Sequence, residues 1–259
     1  MVNLKQSQIA ALGDLAYRKF GIFIAKEKYS SLEVKLEKLL RNERLSGLEE
    51  LYNSLQSDNH RIITSFIHAI TTNHTYFCRE SEHFQKLATL IGSNPYKECR
   101  IWCAACSTGE EPYSITMTLL ESGIRNFKII ASDLNINVLR KCNLGIYHQN
   151  RLEGVPPAII KKYFTKIDDN SYRIHKELRR YVSLKHLNLM DTFSFPEQVD
   201  YIFCRNVLIY FNEESRNRAL VNLAKNLKIG GKLFIGHAET LIVQPTNLIR
   251  IANSVYERI

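Results

Sequence analysis

The chain has 259 residues, 45% of them apolar and 24% charged, and its 35 Lys and Arg against 26 Asp and Glu give a formal net charge of +9. This composition excludes a fibrous or intrinsically disordered protein. No run of about 18 apolar residues occurs, which excludes a transmembrane helix, and the N-terminus lacks a signal-peptide pattern. The six cysteines are too few for a disulfide scaffold, so we expect a soluble, cytoplasmic protein with reduced thiols.

Residues 1–70 are predicted to be entirely helical, because apolar residues recur there at helical spacing. Ser30 and Glu33 predict a capping box that opens one of these helices, and Gly47 is expected to separate it from the next. Four basic residues recur at every third position of the same helix and are expected to lie near one face: Lys35, Lys38, Arg41 and Arg44.

Beyond residue 95, short apolar runs alternate with amphipathic segments. Strands are predicted at 100–105, 128–132, 199–203, 232–236 and 248–259, and helices near 110–122, 135–142 and 213–227. This alternation predicts a parallel sheet covered by helices on both faces. Residues 148–186 interrupt it, and the turn signal at 168–171 predicts a small inserted antiparallel hairpin.

The positive charge is concentrated near this insertion. Residues 140–186 hold 11 basic and four acidic side chains, whereas residues 1–70 hold ten and eight. Such an excess favours an anionic partner. Charge alone does not choose between nucleic acid, a membrane surface and an acidic protein.

The segment IWCAACSTGEEPYSI at 101–115 predicts a strand, a turn of small residues and a helix, the arrangement that forms a ligand crevice in Rossmann-type sheets. The GxGxxG pattern is absent, which argues against NAD or FAD. The acidic pair Glu110 and Glu111 suits a cationic ligand such as S-adenosylmethionine. Asp133, at the end of the next predicted strand, is expected to accept hydrogen bonds from ribose hydroxyls. The alternative is that Asp133 only caps a helix, and that Glu111 only completes a capping box with Thr108.

Four segments together resemble one known family. They are TTNHTYFCRESEHF at 71–84, the cofactor loop at 101–115, VDYIFCRNVLIYF at 199–211 and GGKLFIGHAETL at 230–241. With these motifs the chain closely resembles the bacterial chemotaxis receptor methyltransferases, the CheR family, over roughly residues 60–255. The resemblance implies an N-terminal helical domain and a class I S-adenosylmethionine-dependent methyltransferase fold. This fold is Rossmann-like α/β, with a mostly parallel sheet, an antiparallel last strand and a small antiparallel β-subdomain.

The implied domains are a receptor-interaction domain at 1–70, a linker at 71–94 that contributes to the cofactor site, and a methyltransferase domain at 95–259 with its β-subdomain at about 160–186. The implied reaction is methyl transfer from S-adenosylmethionine to glutamate side chains on the cytoplasmic helices of chemoreceptors, which yields glutamate methyl esters and S-adenosylhomocysteine. We expect a monomer that binds no metal or nucleic acid and does not insert into membranes.

The resemblance also implies the site residues. The cofactor contacts carried over are Asn73, Thr75, Arg79, Glu111, Asp133, Asn188, Leu189, Arg205 and Asn206. Arg79 and Tyr210 are implied nearest to the transferred methyl group. A glutamate carboxylate is ionised at pH 7, so catalysis needs positioning and desolvation rather than a base, and the planar guanidinium of Arg79 suits the positioning. The alternatives are a structural salt bridge of Arg79 with Glu80 or Glu82 and a packing role for Tyr210.

Two groups of residues within these motifs need separate interpretation. His74 and Cys78 differ from the family pattern of the linker. Cys103 and Cys106 form a CxxC, but further zinc ligands at suitable spacing are not evident and the context is not thioredoxin-like, so we expect buried thiols.

Two surfaces are expected to face partners. The basic face at residues 35–44 resembles the receptor-contacting helix of the family, the alternative being an ordinary solvated face. The β-subdomain loop, TKIDDNSYR, lacks the glycine of relatives that bind a receptor-tethering pentapeptide, so we expect no tight binding of such a peptide.

Two other functions stay open. A basic methyltransferase with a helical appendage could modify RNA. Arg205-Asn206-Val207-Leu208, however, replaces the Asn/Asp-Pro-Pro-aromatic motif of base amino-methylating enzymes, and the Pro-Cys pair common in cytosine C5 enzymes is absent. The second is a non-catalytic cofactor-binding adaptor, against which Arg79, Asp133 and Tyr210 argue.

Overall fold

The computed structural model describes residues 6–71, 75–92, 98–239 and 247–259. The chain divides into two compact units. The first comprises Met1–Asn73 with Ile209–Arg218, and the second comprises His74–Leu208 with Ala219–Ile259.

The first unit is helical. Its helices are α1 (Gln6–Phe20), α2 (Tyr29–Glu43), α3 (Leu48–Gln56) and α4 (His60–Ile70). Leu36 of α2 and Phe66 of α4 are fully buried where these two helices pack together. The predicted helical character is therefore confirmed for the described part of residues 1–70.

Of the two predictions for where α2 and α3 begin, one is confirmed and the other is wrong. Gly47 directly precedes α3, as predicted. The Ser30–Glu33 capping box is wrong: α2 begins at Tyr29 without a side-chain cap, and the nearby Ser31 hydroxyl instead donates to the carbonyl of Lys28 at 3.0 Å.

The second unit combines strands and helices. Its strands are β1 (Cys99–Ala104), β2 (Phe127–Asp133), β3 (Ile146–His148), β4 (Phe164–Lys166), β5 (Ser171–Ile174), β6 (Val182–His186), β7 (Val199–Cys204), β8 (Leu227–Ile235), β9 (Leu248–Ala252) and β10 (Val255–Arg258). The helices that follow α4 along the chain are α5 (Glu82–Gly92), α6 (Glu110–Glu121), α7 (Ile136–Leu144), α8 (Pro157–Tyr163), α9 (Lys176–Arg179) and α10 (Glu213–Asn226).

The main sheet has the order β6-β2-β1-β7-β8-β10-β9 in the described residues. The first five strands run parallel, and β10 and β9 are antiparallel. This arrangement confirms the predicted class I fold. The predicted single last strand at 248–259 is in fact the β9–β10 pair, because Ser254 in the turn takes a left-handed φ of 56° and the chain reverses there.

A second, small antiparallel sheet has the order β3-β5-β4. Its three strands are inserted in the sequence between β2 and β6 of the main sheet. The predicted hairpin corresponds to β4 and β5, to which β3 adds a third strand. Residues 182–186, which the sequence did not separate from the hairpin, form β6 and pair in parallel with β2 at the edge of the main sheet.

The core of the second unit positions the site. Ile101, Cys103, Phe203 and Phe234 of the central strands are fully buried with Leu87 of α5. Within the sheet, β2 is the neighbour of β1 on one side, and β7 followed by β8 lies on the other side of β1. Such a reversal of strand order opens a crevice at the carboxyl edge of the sheet, where the ends of β1, β2, β6, β7 and β8 meet.

In the part of the chain that the structure describes, helices that are both long and apolar enough to span a membrane are absent.

Candidate functional site

The turn between β1 and α6 exposes backbone at the carboxyl edge. Ala105, Ser107 and Gly109 all have left-handed φ, of 61°, 50° and 96°. A Cβ at Gly109 would lie 2.3 Å from the Cys142 sulfur and 3.0 Å from the Tyr147 hydroxyl, so only glycine fits. The Ser107 hydroxyl is buried and has no hydrogen-bond partner among the described residues, which leaves it available to a ligand.

The helix-cap alternative for Glu111 is wrong. The Thr108 hydroxyl bonds to the Glu110 carboxylate at 2.6 and 2.9 Å, and Gly109 takes the N-cap position of α6 without a side-chain cap. Glu111 is left to pair with Arg205 instead.

Asp133 joins the ends of β1 and β2. One carboxylate oxygen accepts the N–H of Ser107 at 2.9 Å, and the other accepts the N–H of Asn135 at 2.8 Å. The cap of α7 is the Asn135 side chain, so the alternative that Asp133 merely caps this helix is wrong. Burial raises the pKa of Asp133, against the effect of these N–H groups. A carboxylate oxygen can accept more than one hydrogen bond, so Asp133 retains capacity for ribose hydroxyls.

The end of β6 lies beside Asp133. The N–H of Leu187 donates to the Asp133 carbonyl at 3.1 Å. The next two residues are predicted cofactor contacts. Asn188 closes a turn by accepting the N–H of Met190 at 3.0 Å, and Leu189 is buried. The structure therefore brings three of the predicted residues together at the ends of two neighbouring strands.

A buried arginine organises the end of β7. The Arg205 side chain is 2% exposed, and its two terminal nitrogens each lie 3.0 Å from a carboxylate oxygen, one of Glu80 and one of Glu111. It also donates to the carbonyl of Arg79 at 2.6 Å, and its guanidinium lies 5.1 Å from the Phe84 ring centre. The role of Glu80 in this network was not predicted beyond a possible pair with Arg79.

The two carboxylates of this network titrate differently. Burial raises the pKa of Glu111, and the Arg205 guanidinium opposes that rise. Burial also acts to raise the pKa of Glu80, but the charge and hydrogen bond of Arg205, together with the Asn206 amide and the charge of His237, outweigh it and leave this pKa lowered. Glu111 is therefore the group that is more costly to keep ionised.

Glu80, His83 and His237 form a cluster whose potential ligand atoms lie within 4.8 Å of one another. The Glu80 carboxylate is already bound to Arg205, and the His237 Nε2 atom lies 3.1 Å from Glu82. We therefore interpret this cluster as the outer part of the ion-pair network. His83 itself is buried, and neither ring nitrogen has a hydrogen-bond partner among the described residues.

His83 predicts an acid-sensitive step in stability. Burial, followed by the charges of Arg205 and His237, lowers the pKa of His83 to about 4, compared with about 6.5 in an unfolded chain. The neutral ring therefore contributes stability above pH 6.5 that is lost as the pH falls towards 4. Between pH 6.5 and pH 4, the free energy of unfolding of the wild-type protein should therefore fall by on the order of 2 kcal/mol more than that of His83→Gln.

Urea unfolding of both proteins at pH 7 and pH 4 checks this difference. In an NMR titration, the His83 signal is identified as the one that is missing from the spectrum of His83→Gln. A His83 midpoint between pH 6 and 7 would contradict the prediction.

Arg79 occupies a partly exposed position before α5. Its Nε atom lies 3.9 Å from a Glu80 oxygen, a loose contact, and its guanidinium lies 5.9 Å from the Tyr76 ring centre. The structural salt bridge considered as an alternative is thus present only in weak form. The Thr75 carbonyl accepts a hydrogen bond from Arg151. Asn73, a predicted cofactor contact, lies outside the described residues, as does His74.

Tyr210 and the basic face belong to the helical unit. The Tyr210 carbonyl accepts the N–H of Phe23 at 2.8 Å, which fixes its backbone within that unit. The four residues of the basic face are all exposed: Lys35, Lys38, Arg41 and Arg44. Only the first three lie on α2, however, because the helix ends at Glu43 and Arg44 takes a left-handed conformation at its C-cap. The roles assigned to Tyr210 and to this face stay predictions.

The CxxC pair is buried, as expected. Burial raises the pKa of Cys103 well above its usual range, which disfavours the reactive thiolate. Cys78 is partly exposed, and burial raises its pKa as well.

Asn206, next to Arg205, takes a left-handed φ of 58°. Its side-chain amide donates to Glu80 at 3.4 Å, and its backbone N–H donates to Glu239 at 2.8 Å. Glu239 was not predicted as a site residue, although it lies in the GHAETL segment that follows β8. The signal available was a carboxylate placed shortly after a buried parallel strand.

The polar groups at this edge fit a cationic nucleoside. The carboxylates of Glu111 and Asp133 supply negative charge and acceptors, and the buried Ser107 hydroxyl, which has no hydrogen-bond partner among the described residues, lies in the turn between β1 and α6. An amino acid ammonium, a sulfonium and ribose hydroxyls would each find a complementary group there, which is the chemistry of S-adenosylmethionine.

Comparison with known proteins agrees with this geometry. The family described as CheR methyltransferase, SAM binding domain, matches residues 73–256, and the CheR methyltransferase all-alpha domain matches residues 7–71. The chemotaxis protein methyltransferase of Borreliella burgdorferi is 37% identical over 255 residues, which cover 93% of this chain and 90% of the relative. That of Escherichia coli is 36% identical over 244 residues, which cover 91% and 85%.

The two family domains follow one another along nearly the whole chain, and the SAM binding domain coincides with a class I sheet. The chain therefore belongs to the CheR family of S-adenosylmethionine-dependent methyltransferases.

Proposed function

We propose that this protein methylates glutamate side chains on the cytoplasmic helices of bacterial chemoreceptors and so produces glutamate methyl esters for sensory adaptation. The observation that carries the proposal is its identity of 36–37% with chemotaxis protein methyltransferases over more than nine-tenths of the chain. The acidic cofactor edge supports it, because it suits the donor such an enzyme uses.

The residues of the second unit have separate tasks in this reaction. S-adenosylmethionine, when bound, supplies an electrophilic methyl group on a positively charged sulfur. Asp133 would hold its ribose, while Glu111, kept in place by Arg205, would attract its positive charge. Asn188, Leu189 and Asn206 would complete the binding site.

The receptor glutamate needs no base, because its carboxylate is ionised at pH 7. Catalysis then consists of orienting that carboxylate and removing its water. Arg79 is proposed to orient it, since a guanidinium matches the plane of a carboxylate. Tyr210 is proposed as the second catalytic residue, a hydrogen-bond donor in the reaction.

Transfer of tritiated methyl groups onto membranes that carry chemoreceptors tests this function. Label should enter the receptor and be released as methanol by mild base, which distinguishes an ester from a methylated amine. Receptors with the methyl-accepting glutamates changed to alanine serve as the control. Label in RNA instead would support a nucleic-acid methyltransferase, and cofactor binding without transfer would support a non-catalytic adaptor.

The role of Asp133 predicts a loss of cofactor affinity. Asp133→Ala should weaken the binding of S-adenosylhomocysteine by at least about tenfold, because charge-assisted hydrogen bonds of this kind contribute about 1.5–3 kcal/mol. Isothermal titration calorimetry measures the change. Asp168→Ala is the matched control, since Asp168 also accepts the N–H two residues further on, at 2.9 Å, but lies in the loop between β4 and β5 of the small sheet. Equal affinities for Asp133→Ala and the wild type would exclude the assignment.

The β-subdomain is proposed to function without a receptor-tethering pentapeptide. The loop between β4 and β5 is short and closed: the N–H of Ile167 donates to the Ser171 carbonyl at 2.9 Å, and the Asn170 carbonyl accepts the N–H of Gln149 at 2.7 Å. Residues 155–229 contain no glycine that would let such a loop bend further. A micromolar dissociation constant for a receptor C-terminal pentapeptide, measured by calorimetry, would overturn this proposal.

The basic face of α2 is proposed to contact the receptor, and the protein to act as a cytoplasmic monomer. Exposed positive charges accelerate association with an acidic partner, and the effect declines as salt screens it. Lys35→Glu with Lys38→Glu should therefore lower receptor methylation at low salt and leave S-adenosylhomocysteine affinity unchanged. A rate equal to that of the wild type at low salt would exclude this surface.

A further inference from the structure

Two carboxylates bridge the residues that follow β7 and β8. Glu80 accepts the Asn206 side-chain amide at 3.4 Å and the N–H of His237 at 3.3 Å, and Glu239 makes the shorter bridge. Cys204 and Ile235 pair as the last residues of these parallel strands. Beyond them, one carboxylate oxygen of Glu239 accepts the N–H of Gly236 at 2.7 Å and the N–H of Asn206 at 2.8 Å. Glu239 is only 7% exposed, so these two N–H groups depend on it rather than on solvent.

Glu239 holds Asn206 in a backbone conformation that few residue types adopt. The Asn206 φ of 58° is a left-handed conformation that is uncommon for residues other than glycine. This conformation follows directly after Arg205, whose guanidinium binds Glu80 and Glu111. A change in the backbone at Asn206 would therefore redirect both its own amide and the neighbouring arginine.

The packing around Gly236 leaves little room for any other arrangement. A Cβ at this position would lie 2.5 Å from the Asn206 side-chain nitrogen, 2.9 Å from the Glu239 carboxylate and 3.0 Å from the Asn206 backbone nitrogen. The amide of Asn206 thus lies directly against the β8 backbone. Both the carboxylate and the absence of a side chain at Gly236 are required for this contact.

We propose that Glu239 is a positioning residue for the cofactor site: its carboxylate fixes the turn after β7, and through that turn it orients Asn206 towards the cofactor. The inference depends on the proposed role of Asn206 in binding the cofactor. It does not depend on the identity of the methyl acceptor, so the role of Glu239 and the proposed methylation of receptors can be disproved separately.

The test compares S-adenosylhomocysteine affinity, measured by calorimetry, with thermal stability. Glu239→Ala leaves two buried N–H groups without an acceptor and should weaken binding by at least about tenfold. Glu239→Gln keeps an oxygen that can accept both N–H groups and should bind within about threefold of the wild type. Rescue by glutamine would show that the acceptor oxygen, rather than the negative charge, fixes the turn.

Asp200→Ala is the matched control. Asp200 also lies on β7, and its carboxylate accepts the N–H of Arg100 at 2.9 Å and binds Lys228 at 2.7 Å, but it lies towards the opposite end of the strand. It should lower the melting temperature without changing the affinity for S-adenosylhomocysteine. A purely structural role for Glu239 would give the same result in Glu239→Ala, and that outcome would overturn the proposal.

A double-mutant cycle tests whether Glu239 acts through Asn206. If it does, Glu239→Ala combined with Asn206→Ala should bind no more than about twofold weaker than the weaker single variant, because the two losses are not additive. Fully additive losses would contradict the proposal. If Glu239→Ala does not fold, Gly236→Ala provides the second variant. It pushes on the Asn206 amide with the carboxylate intact, and wild-type affinity in this variant would equally overturn the proposal.

Discussion

Replacing Arg205 by alanine is expected to reduce the free energy of unfolding by about 3–5 kcal/mol, because it leaves uncompensated buried charge. In the wild-type protein the Arg205 side chain is 2% exposed and lies 3.0 Å from both Glu80 and Glu111. Without it, two carboxylates remain in a poorly hydrated site. Urea unfolding at pH 7 measures the loss.

The pH dependence of this loss gives a sharper test. In Arg205→Ala, the pKa values of Glu80 and Glu111 should both rise, so that each carboxyl is protonated at less acidic pH. The deficit relative to the wild type should then shrink as the pH falls from 7 to 5, since protonation removes the buried charge. Arg100→Ala is the control, because Arg100 is 32% exposed and pairs with Glu197 at 2.7 Å. Such exposed pairs contribute about 0–1 kcal/mol. A deficit for Arg205→Ala as small as that of the control would show that the network is not buried in solution.

Replacing Arg79 by alanine is expected to lower receptor methylation by at least about 100-fold, because the orientation of the reacting carboxylate is lost. The variant should still fold, so that the loss of rate reports on the reaction rather than on unfolding. Steady-state methyl transfer at saturating S-adenosylmethionine measures the rate, and thermal unfolding measures the stability.

Arg79→Lys separates orientation from charge in this experiment. Lysine keeps the positive charge but lacks the planar pair of donors, so the rate should lie well below that of the wild type. Recovery to the full rate in Arg79→Lys would show that charge alone is needed, and a wild-type rate in Arg79→Ala would remove Arg79 from the catalytic role.

Local patterns explain why much of the second unit was predictable. The runs around β1, β2, β7 and β8 alternate with amphipathic helices, and both signals depend on neighbours within the same segment. Asp133 was predictable for the same reason, because its position follows directly from the end of β2. The prediction of a single strand at 248–259 failed because the reversal that separates β9 from β10 needs only one left-handed residue, Ser254. A single residue of this kind leaves no pattern in the sequence around it.

The sequence by itself determined the alternation of strands and helices around β1, β2, β7 and β8, the turn after β1 and the acid at the end of β2, because each follows from the spacing of nearby residues. Only the tertiary structure decided how the site is held in place. Arg205 reaches Glu111 across 94 positions of sequence, and Asn206 reaches Glu80 across 126 and Glu239 across 33. These contacts exist because parallel strands bring the residues that follow them to one edge of the sheet, where the segment before α5 also binds Arg205. The strength of a buried ion pair depends on distance and burial in space, and the spacing of nearby residues in the sequence reveals neither.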